Sequence, residues 1–272
     1  MTSPHPRFDI PPDLNVEESY QLPFNMHDGK LHVLIGATGS VASIKIPFII
    51  NKLFEIYGDR VDIQVVFTKN SEHFVNPGKL LQSVGGQYAT PGAAGPAHHP
   101  AIHSCPSGED FSLPDMKINI WRDNDEWRLF RNRNSPVLHI ELRKWADILL
   151  IAPLSANTLA KVANGLCDNL LTSVIRAWNP QFKILVAPAM NTYMYSNPVT
   201  KRHLDVIRDQ MPWIQIINPI EKVLVCGDIG MGGMAEWANI VDRLVQELGG
   251  DDDSTPTESS APLSSVESFN PN

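Results

Sequence analysis

Four short runs of this sequence are apolar at almost every position, and they limit the fold more than any other feature. They are Leu31–Gly36 (LHVLIG), Val61–Phe67 (VDIQVVF), Asp147–Ala152 (DILLIA) and Phe182–Ala187 (FKILVA). A strand with one wet face alternates apolar and polar residues, so a continuous run implies a strand covered on both faces. Segments with helical character lie between and after them. Val41–Tyr57 carries Ile44, Phe48, Leu53 and Ile56 at a spacing that lines one face, with Pro47 marking a kink or a late start. Asn157–Val162 and Asn169–Ala177 read as helices, Ile214–Asn218 as a further strand, and Trp237–Leu248 as a closing amphipathic helix. Strands alternating with helices predict an α/β, doubly wound three-layer sandwich around a parallel sheet, Rossmann- or flavodoxin-like.

The rest of the chain has a different character. Residues 1–29 are Pro-rich and acidic without apolar periodicity, and read as a flexible arm. Residues 77–115 are rich in Gly, Pro, Ala, Ser and His, a composition that cannot bury a core, and read as a mobile insertion. His98, His99, His103 and Cys105 fall in that insertion, where solvated loop residues are the simpler reading than a metal site. Residues 249–272 turn polar and acidic and read as a disordered tail. One domain over residues 30–248 is the economical organisation, and hydrophobic residues at 43% of the chain suffice for one substantial core.

Charge and cysteine usage exclude some functions. A net charge of -8 argues against a nucleic-acid backbone as the main partner. The three cysteines, Cys105, Cys167 and Cys226, are widely spaced with no CxxC pair, so neither a disulfide framework nor a zinc site is expected. No apolar run reaches the roughly 20 residues needed to span a bilayer, and Met1–Pro12 lacks the apolar stretch of a signal peptide. These features fit a soluble cytoplasmic protein with no membrane partner.

Each apolar run ends in small or polar residues. The first continues as Gly36-Ala37-Thr38-Gly39-Ser40-Val41-Ala42, which suits either a tight strand-to-helix turn or a phosphate cradle, and is neither GxGxxG nor a Walker loop. The second ends in Thr68-Lys69-Asn70-Ser71, compatible with a ligand edge or an ordinary N-cap. The third ends in Ala152-Pro153-Leu154-Ser155-Ala156-Asn157-Thr158 and the fourth in Ala187-Pro188-Ala189-Met190-Asn191. In open α/β sheets ligands bind beyond the carboxyl ends of the strands, so these four ends together point to one small-molecule site. Read alone, His139 in VLHIEL fits a structural role better than chemistry, and Cys226 reads as a small buried hydrophobe, although the four glycines around it suggest a loop that closes and reopens over a site.

Read together, the strings GSVASIK, VLHIELRKWAD, APLSANTLAKVANGLCDNLL, APAMN and CGDIGMGGMAE closely resemble the phosphopantothenoylcysteine decarboxylases. These belong to the homo-oligomeric FMN-containing cysteine decarboxylases, with the plant and fungal halotolerance (Hal3-type) proteins as close relatives. The resemblance covers roughly residues 30–248 apart from the insertion. It implies a flavoprotein with FMN held by Gly39, Ser40, Val41, Thr68, Lys69, Asn70, Ser155, Ala156, Asn157, Thr158 and Ala189. It implies catalytic roles for His139 and for Cys226 as proton donor, and substrate contacts from Asn191 and Met190. The implied reaction converts 4'-phosphopantothenoylcysteine to 4'-phosphopantetheine through oxidation to a thioaldehyde, loss of CO2 and re-reduction, in coenzyme A biosynthesis. The resemblance also implies a trimer with sites between subunits; the joint presence of His139, Asn191 and Cys226 favours a homotrimer over a heterotrimer with homologous chains. Inhibition of a type-1-like protein phosphatase is the alternative role, and the two can coexist. The glycine-rich segment departs from the usual CGDYGTGAM, with Ile229 and Met231 replacing a tyrosine and a small polar residue.

Overall fold

The structure, a computed structural model, describes residue 25 and residues 28–83, 118–130, 135–223 and 229–249. Six strands form one parallel sheet: β1 (Leu31–Ala37), β2 (Val61–Phe67), β3 (Ile118–Arg122), β4 (Ile148–Leu154), β5 (Lys183–Pro188) and β6 (Ile214–Ile216). Their order across the sheet is β3-β2-β1-β4-β5-β6. The pairing is in register from Leu31↔Val61 to Ala37↔Phe67 on one side of β1, and from Val33↔Ile148 to Gly36↔Ile151 on the other. This is the doubly wound parallel sheet expected from the apolar runs.

Strand side chains alternate between two cores. Val33, Ile35, Val65, Phe67, Leu150 and Leu185 join one apolar cluster, while Leu34, Val66, Leu149, Ile151, Ile184 and Val186 join the other. Helices α1 (Ile46–Tyr57), α2 (Pro77–Ser83) and α9 (Trp237–Glu247) cover the first face. Helices α3 (Asp123–Leu129), α4 (Leu138–Trp145), α5 (Ala156–Ala163), α6 (Leu170–Arg176) and α8 (Pro198–Gln210) cover the second. A short α7 (Thr192–Ser196) and an antiparallel pair, β7 (Ile220–Val223) and β8 (Ile229–Gly233), follow the sheet's carboxyl edge. Among the described residues no helix is long and apolar enough to cross a membrane.

Three sequence expectations need correction. Residues Val41–Lys45 form a 3-10 turn before α1 begins, with Pro47 in its first turn. The 3-10 period of three residues breaks the phase counted from Val41. The buried face is therefore Ile46, Ile49, Ile50, Leu53, Phe54 and Tyr57, while Ile44 and Phe48 are exposed. Residues 77–83, expected at the start of a mobile insertion, form α2 instead, and the remainder of that segment lies outside the described residues, as do the arm up to residue 24 and the tail beyond residue 249. The glycine-rich segment read as a closing loop is a strand from Ile229 onward.

The amino edge of the sheet, opposite the candidate site, carries a polar group of its own. His32 pairs across the sheet with Asp62, contacts Asp28 through its ring (Nε2 to Oδ1, 3.0 Å), and stacks on Trp145 with ring centres 4.6 Å apart. Burial raises the Asp62 carboxyl above its ordinary value of 3.8, with His32 and Lys30 pulling the other way. The native state thus prefers the neutral acid. That contribution is full below the unfolded value and is lost as pH rises through the raised native one. Asp62→Asn is expected to raise the unfolding midpoint at pH 7 and to leave it nearly unchanged near pH 3. A lower midpoint at pH 7 would show that the carboxylate's pairing with His32 outweighs its desolvation.

Candidate active site at the carboxyl edge of the sheet

The strand order reverses between β1 and β4, because the chain winds outward to β3 and then returns to the other side. A crevice forms where connections leave in opposite directions, and this is where open α/β sheets bind ligands. One buried side chain fixes its spacing. The Thr38 hydroxyl donates to the Pro153 carbonyl at 2.7 Å and accepts the Ser155 N–H at 2.8 Å, tying the end of β1 to the end of β4. Its carbonyl accepts the Ser40 N–H at 2.7 Å and the Ser43 hydroxyl at 2.8 Å, which folds the turn after β1. On the other flank both the N–H and the hydroxyl of Thr68 donate to the Ala37 carbonyl at 3.1 Å. Gly39 is required here: a Cβ would lie 2.8 Å from Asn70 Cβ.

The fourth strand end completes the row. Ala189 N–H donates to Leu154 O at 3.0 Å, and Met190 N–H donates to Gly232 O at 2.9 Å, which joins the hairpin to the sheet edge. Gly232 has φ +130, and a Cβ there would lie 2.6 Å from the Met190 carbonyl, so no side chain fits. The Asn191 side chain caps α7 by accepting the Tyr193 N–H at 2.8 Å.

A cavity of about 370 Å³ opens at these ends, lined by Ser40, Val41, Ala189, Met190 and Asn191 together with Lys45, Lys222, Gly232, Ala235 and Trp237. A second cavity, of about 290 Å³, lies at the ends of β2 and β3, lined by Lys69, Glu72, Arg122 and Asp123. Arg122 Nε is held by Glu72 Oε1 at 3.0 Å.

The structure therefore brings Ser40, Val41, Ala189, Met190 and Asn191 into one cavity, with Gly39, Thr68 and Asn70 on the adjoining strand ends. Lys69 opens onto the neighbouring cavity instead. Ser155 and Thr158 were expected to offer hydroxyls to a ligand, but both are buried. Their oxygens lie 3.2 Å apart, and Ser155 Oγ caps α5 by accepting the Thr158 N–H at 3.3 Å. Asn157 is exposed beside the half-buried Ala156 at the start of α5. His139 is the second residue of α4 and lines neither described cavity; its ring and backbone N–H both contact Glu126. Cys226 lies outside the described residues, between β7 and β8. Thr38, Lys45, Lys222 and Glu126 were not singled out from sequence. Thr38 was visible only as the hydroxyl inside the first turn, and Glu126 follows a strand that the sequence did not reveal.

A doubly wound parallel sheet with a cavity along its carboxyl edge is the arrangement of α/β small-molecule binders. Within that class the chain belongs to the flavoprotein family, whose model matches residues 22–249. The phosphopantothenoylcysteine decarboxylase subunit SIS2 of Saccharomyces cerevisiae is 47% identical over 234 residues, 82% of this chain and 41% of that protein. A solved PPC decarboxylase variant complexed with pantothenoylaminoethenethiol shares 40% identity at a TM-score of 0.62, covering 80% of this chain and 97% of that one. The FMN-binding protein AtHal3 shares 40% identity at a TM-score of 0.60, covering 80% and 96%. This chain spans between 35% and 41% of the length of three fungal relatives that it matches.

Proposed function

We propose that this protein binds FMN and decarboxylates 4'-phosphopantothenoylcysteine to 4'-phosphopantetheine. The observation that carries the reading is the cavity uniting Ser40, Val41 and Ala189 with Met190 and Asn191, in a chain 40% identical to a PPC decarboxylase over 97% of that chain's length. The residues present fit the cofactor. Ala42, Ala189, Ala235, Gly232 and Gly233 give the cavity small, flat walls that a planar ring can approach. Lys45 lines the cavity with positive charge, Lys222 is paired there with Glu236 at 3.6 Å, and Ser40 opens a helical turn; Lys45 and the turn suit a phosphate. We assign FMN to Gly39, Ser40, Val41, Thr68, Lys69, Asn70, Ser155, Ala156, Asn157, Thr158 and Ala189. Ser155 and Thr158 also fix the start of α5 beside it.

Bound FMN supplies a reversible two-electron acceptor, which lets a cysteine-derived carboxylate lose CO2 without net oxidation. The protein's part is binding and proton handling. Asn191 caps α7 through Oδ1 and lines the cavity, and its role is to hydrogen-bond the substrate carboxylate, which an amide does without adding a full positive charge. His139 Nδ1 contacts Glu126, which leaves Nε2 as the ring nitrogen to meet the substrate thiol as hydrogen-bond partner or base. Cys226 serves as the acid that protonates the product, so its thiol must stay protonated.

Among the described residues, Asn191 lines the 370 Å³ cavity while His139 is not among its lining residues, and Val41, Ile44, Phe48, Trp127 and Tyr193 are exposed. Both features support a homotrimer with sites between subunits, and mass measurement of the purified assembly separates this from a heterotrimer with homologous chains. The Hal3-type relatives motivate the coexisting regulatory reading, inhibition of a type-1-like phosphatase. Inhibition by the full chain and its loss on removal of residues 249–272 would support a tail-dependent contact; no inhibition by either would remove this role.

The decarboxylase reading is tested by counting CO2 from phosphopantothenoylcysteine and from a peptide ending in cysteine. Release from the first alone is expected. Preferential release from the peptide would overturn the substrate assignment.

A further inference from the structure

We infer that Glu126 is a positioning residue that sets the tautomer and orientation of His139. The inference rests on the proposed role of His139 in touching the substrate. A single carboxylate grips this histidine twice: Glu126 Oε1 lies 2.6 Å from His139 Nδ1, and Oε2 accepts the His139 backbone N–H at 3.0 Å. Glu126 is 14% exposed, so solvent competes little for either contact.

Helix chemistry explains why an acid occupies this place. His139 sits in the first turn of α4, where backbone N–H groups have no intrahelical partner. The N–H groups of Ile140 and Glu141 reach the Val137 carbonyl, and that of His139 goes to Glu126. Val137 offers no side-chain cap, so the carboxylate of another helix takes the cap's place, at the end where negative charge is favoured.

The second oxygen has a chemical consequence. An ionised carboxylate only accepts hydrogen bonds, so the proton of a neutral imidazole stays on Nδ1 and the lone pair on Nε2. With the backbone and the ring tied to the same group, the imidazole cannot flip without breaking one of two charge-assisted bonds. Glu126 is itself anchored. Helix α3 is capped by the Asp125 carboxylate accepting the Arg122 N–H at 2.8 Å, and Asp123 Oδ1 accepts the Leu170 N–H at 3.0 Å, fixing α3 to α6. Both α3 and α4 start at the carboxyl edge, since α3 follows β3 and α4 runs back toward the start of β4. The acid and the histidine thus meet at the edge that holds the cavities.

The test uses the FMN-loaded full chain with Glu126→Ala, Glu126→Gln, His139→Asn and the Glu126→Ala/His139→Asn pair. Glu126→Ala is expected to lower kcat by roughly 10–100-fold with KM changed little. Glu126→Gln, which retains one acceptor, should fall between it and the parent. In the His139→Asn background Glu126→Ala should cost nothing further, because both changes remove one function. An equal loss in both backgrounds would overturn the proposal, since Glu126 would then act elsewhere. Histidine ¹⁵N spectra give a readout independent of turnover. The His139 signal, assigned by its absence in His139→Asn, should report the Nδ1–H form in the parent and shift toward the Nε2–H form in Glu126→Ala. An unshifted signal would also overturn it. If Glu126→Ala fails to fold, Glu126→Gln decides by the same two measurements. Full activity in His139→Asn would instead defeat the catalytic role of His139, whatever Glu126 does.

Discussion

His139→Asn is expected to lower turnover of phosphopantothenoylcysteine by about 10²–10⁴-fold, the contribution of one positioned acid–base group, while flavin stays bound. The separation of the two effects follows from the fold. His139 lies on α4 and lines neither described strand-end cavity, so its loss leaves the walls built by Ser40, Val41 and Ala189 intact. The backbone N–H of residue 139 can still donate to Glu126, so the first turn of α4 keeps its cap. The measurement is kcat at saturating substrate, normalised to flavin absorbance per chain. Turnover at the parental rate would exclude a catalytic role for His139, and loss of flavin along with activity would move the histidine into the cofactor site.

The second large effect is expected from Thr38→Val, a change of nearly constant volume at a fully buried position. It leaves the Pro153 carbonyl and the Ser155 N–H without their partner, both inside the protein. A buried group left unsatisfied costs about 1–3 kcal/mol, so a loss of about 2–6 kcal/mol is expected for the pair. The damage falls where β1 and β4 diverge, so FMN should also bind more weakly. Thr38→Ser keeps the hydroxyl and should restore most of both. Urea unfolding with and without FMN measures the two effects together. Unchanged stability in Thr38→Val would mean that water or a shifted backbone replaces the hydroxyl.

Much of this arrangement was written in local sequence, and the remainder depended on distant partners. Strands β1, β2, β4 and β5 were legible because burial on both faces leaves a continuous apolar run. Strand β3 was not: Ile118–Arg122 is an edge strand of five residues, and Asn119 and Arg122 interrupt its apolar character. Helix α8 was hidden because its buried positions include Thr200 and His203 beside Leu204 and Ile207, so its apolar stripe is thin. The row of strand-end turns was visible because small and polar residues follow each apolar run. What those residues do was less visible. Ser155 and Thr158 look like ligand hydroxyls in sequence, and their contacts at the start of α5 could not be read there. Thr38 reaches partners more than a hundred positions away, and Glu126 reaches His139 across a helix boundary. No local pattern encodes either contact.

The most direct test of the account is the visible spectrum of the purified chain, followed by anaerobic addition of phosphopantothenoylcysteine while CO2 is counted. The account requires flavin absorbance bands and CO2 release that continues over many turnovers without oxygen, because the overall reaction is redox-neutral. A protein that takes up no flavin even when FMN is added, or a flavin-loaded protein that releases no CO2, would contradict it.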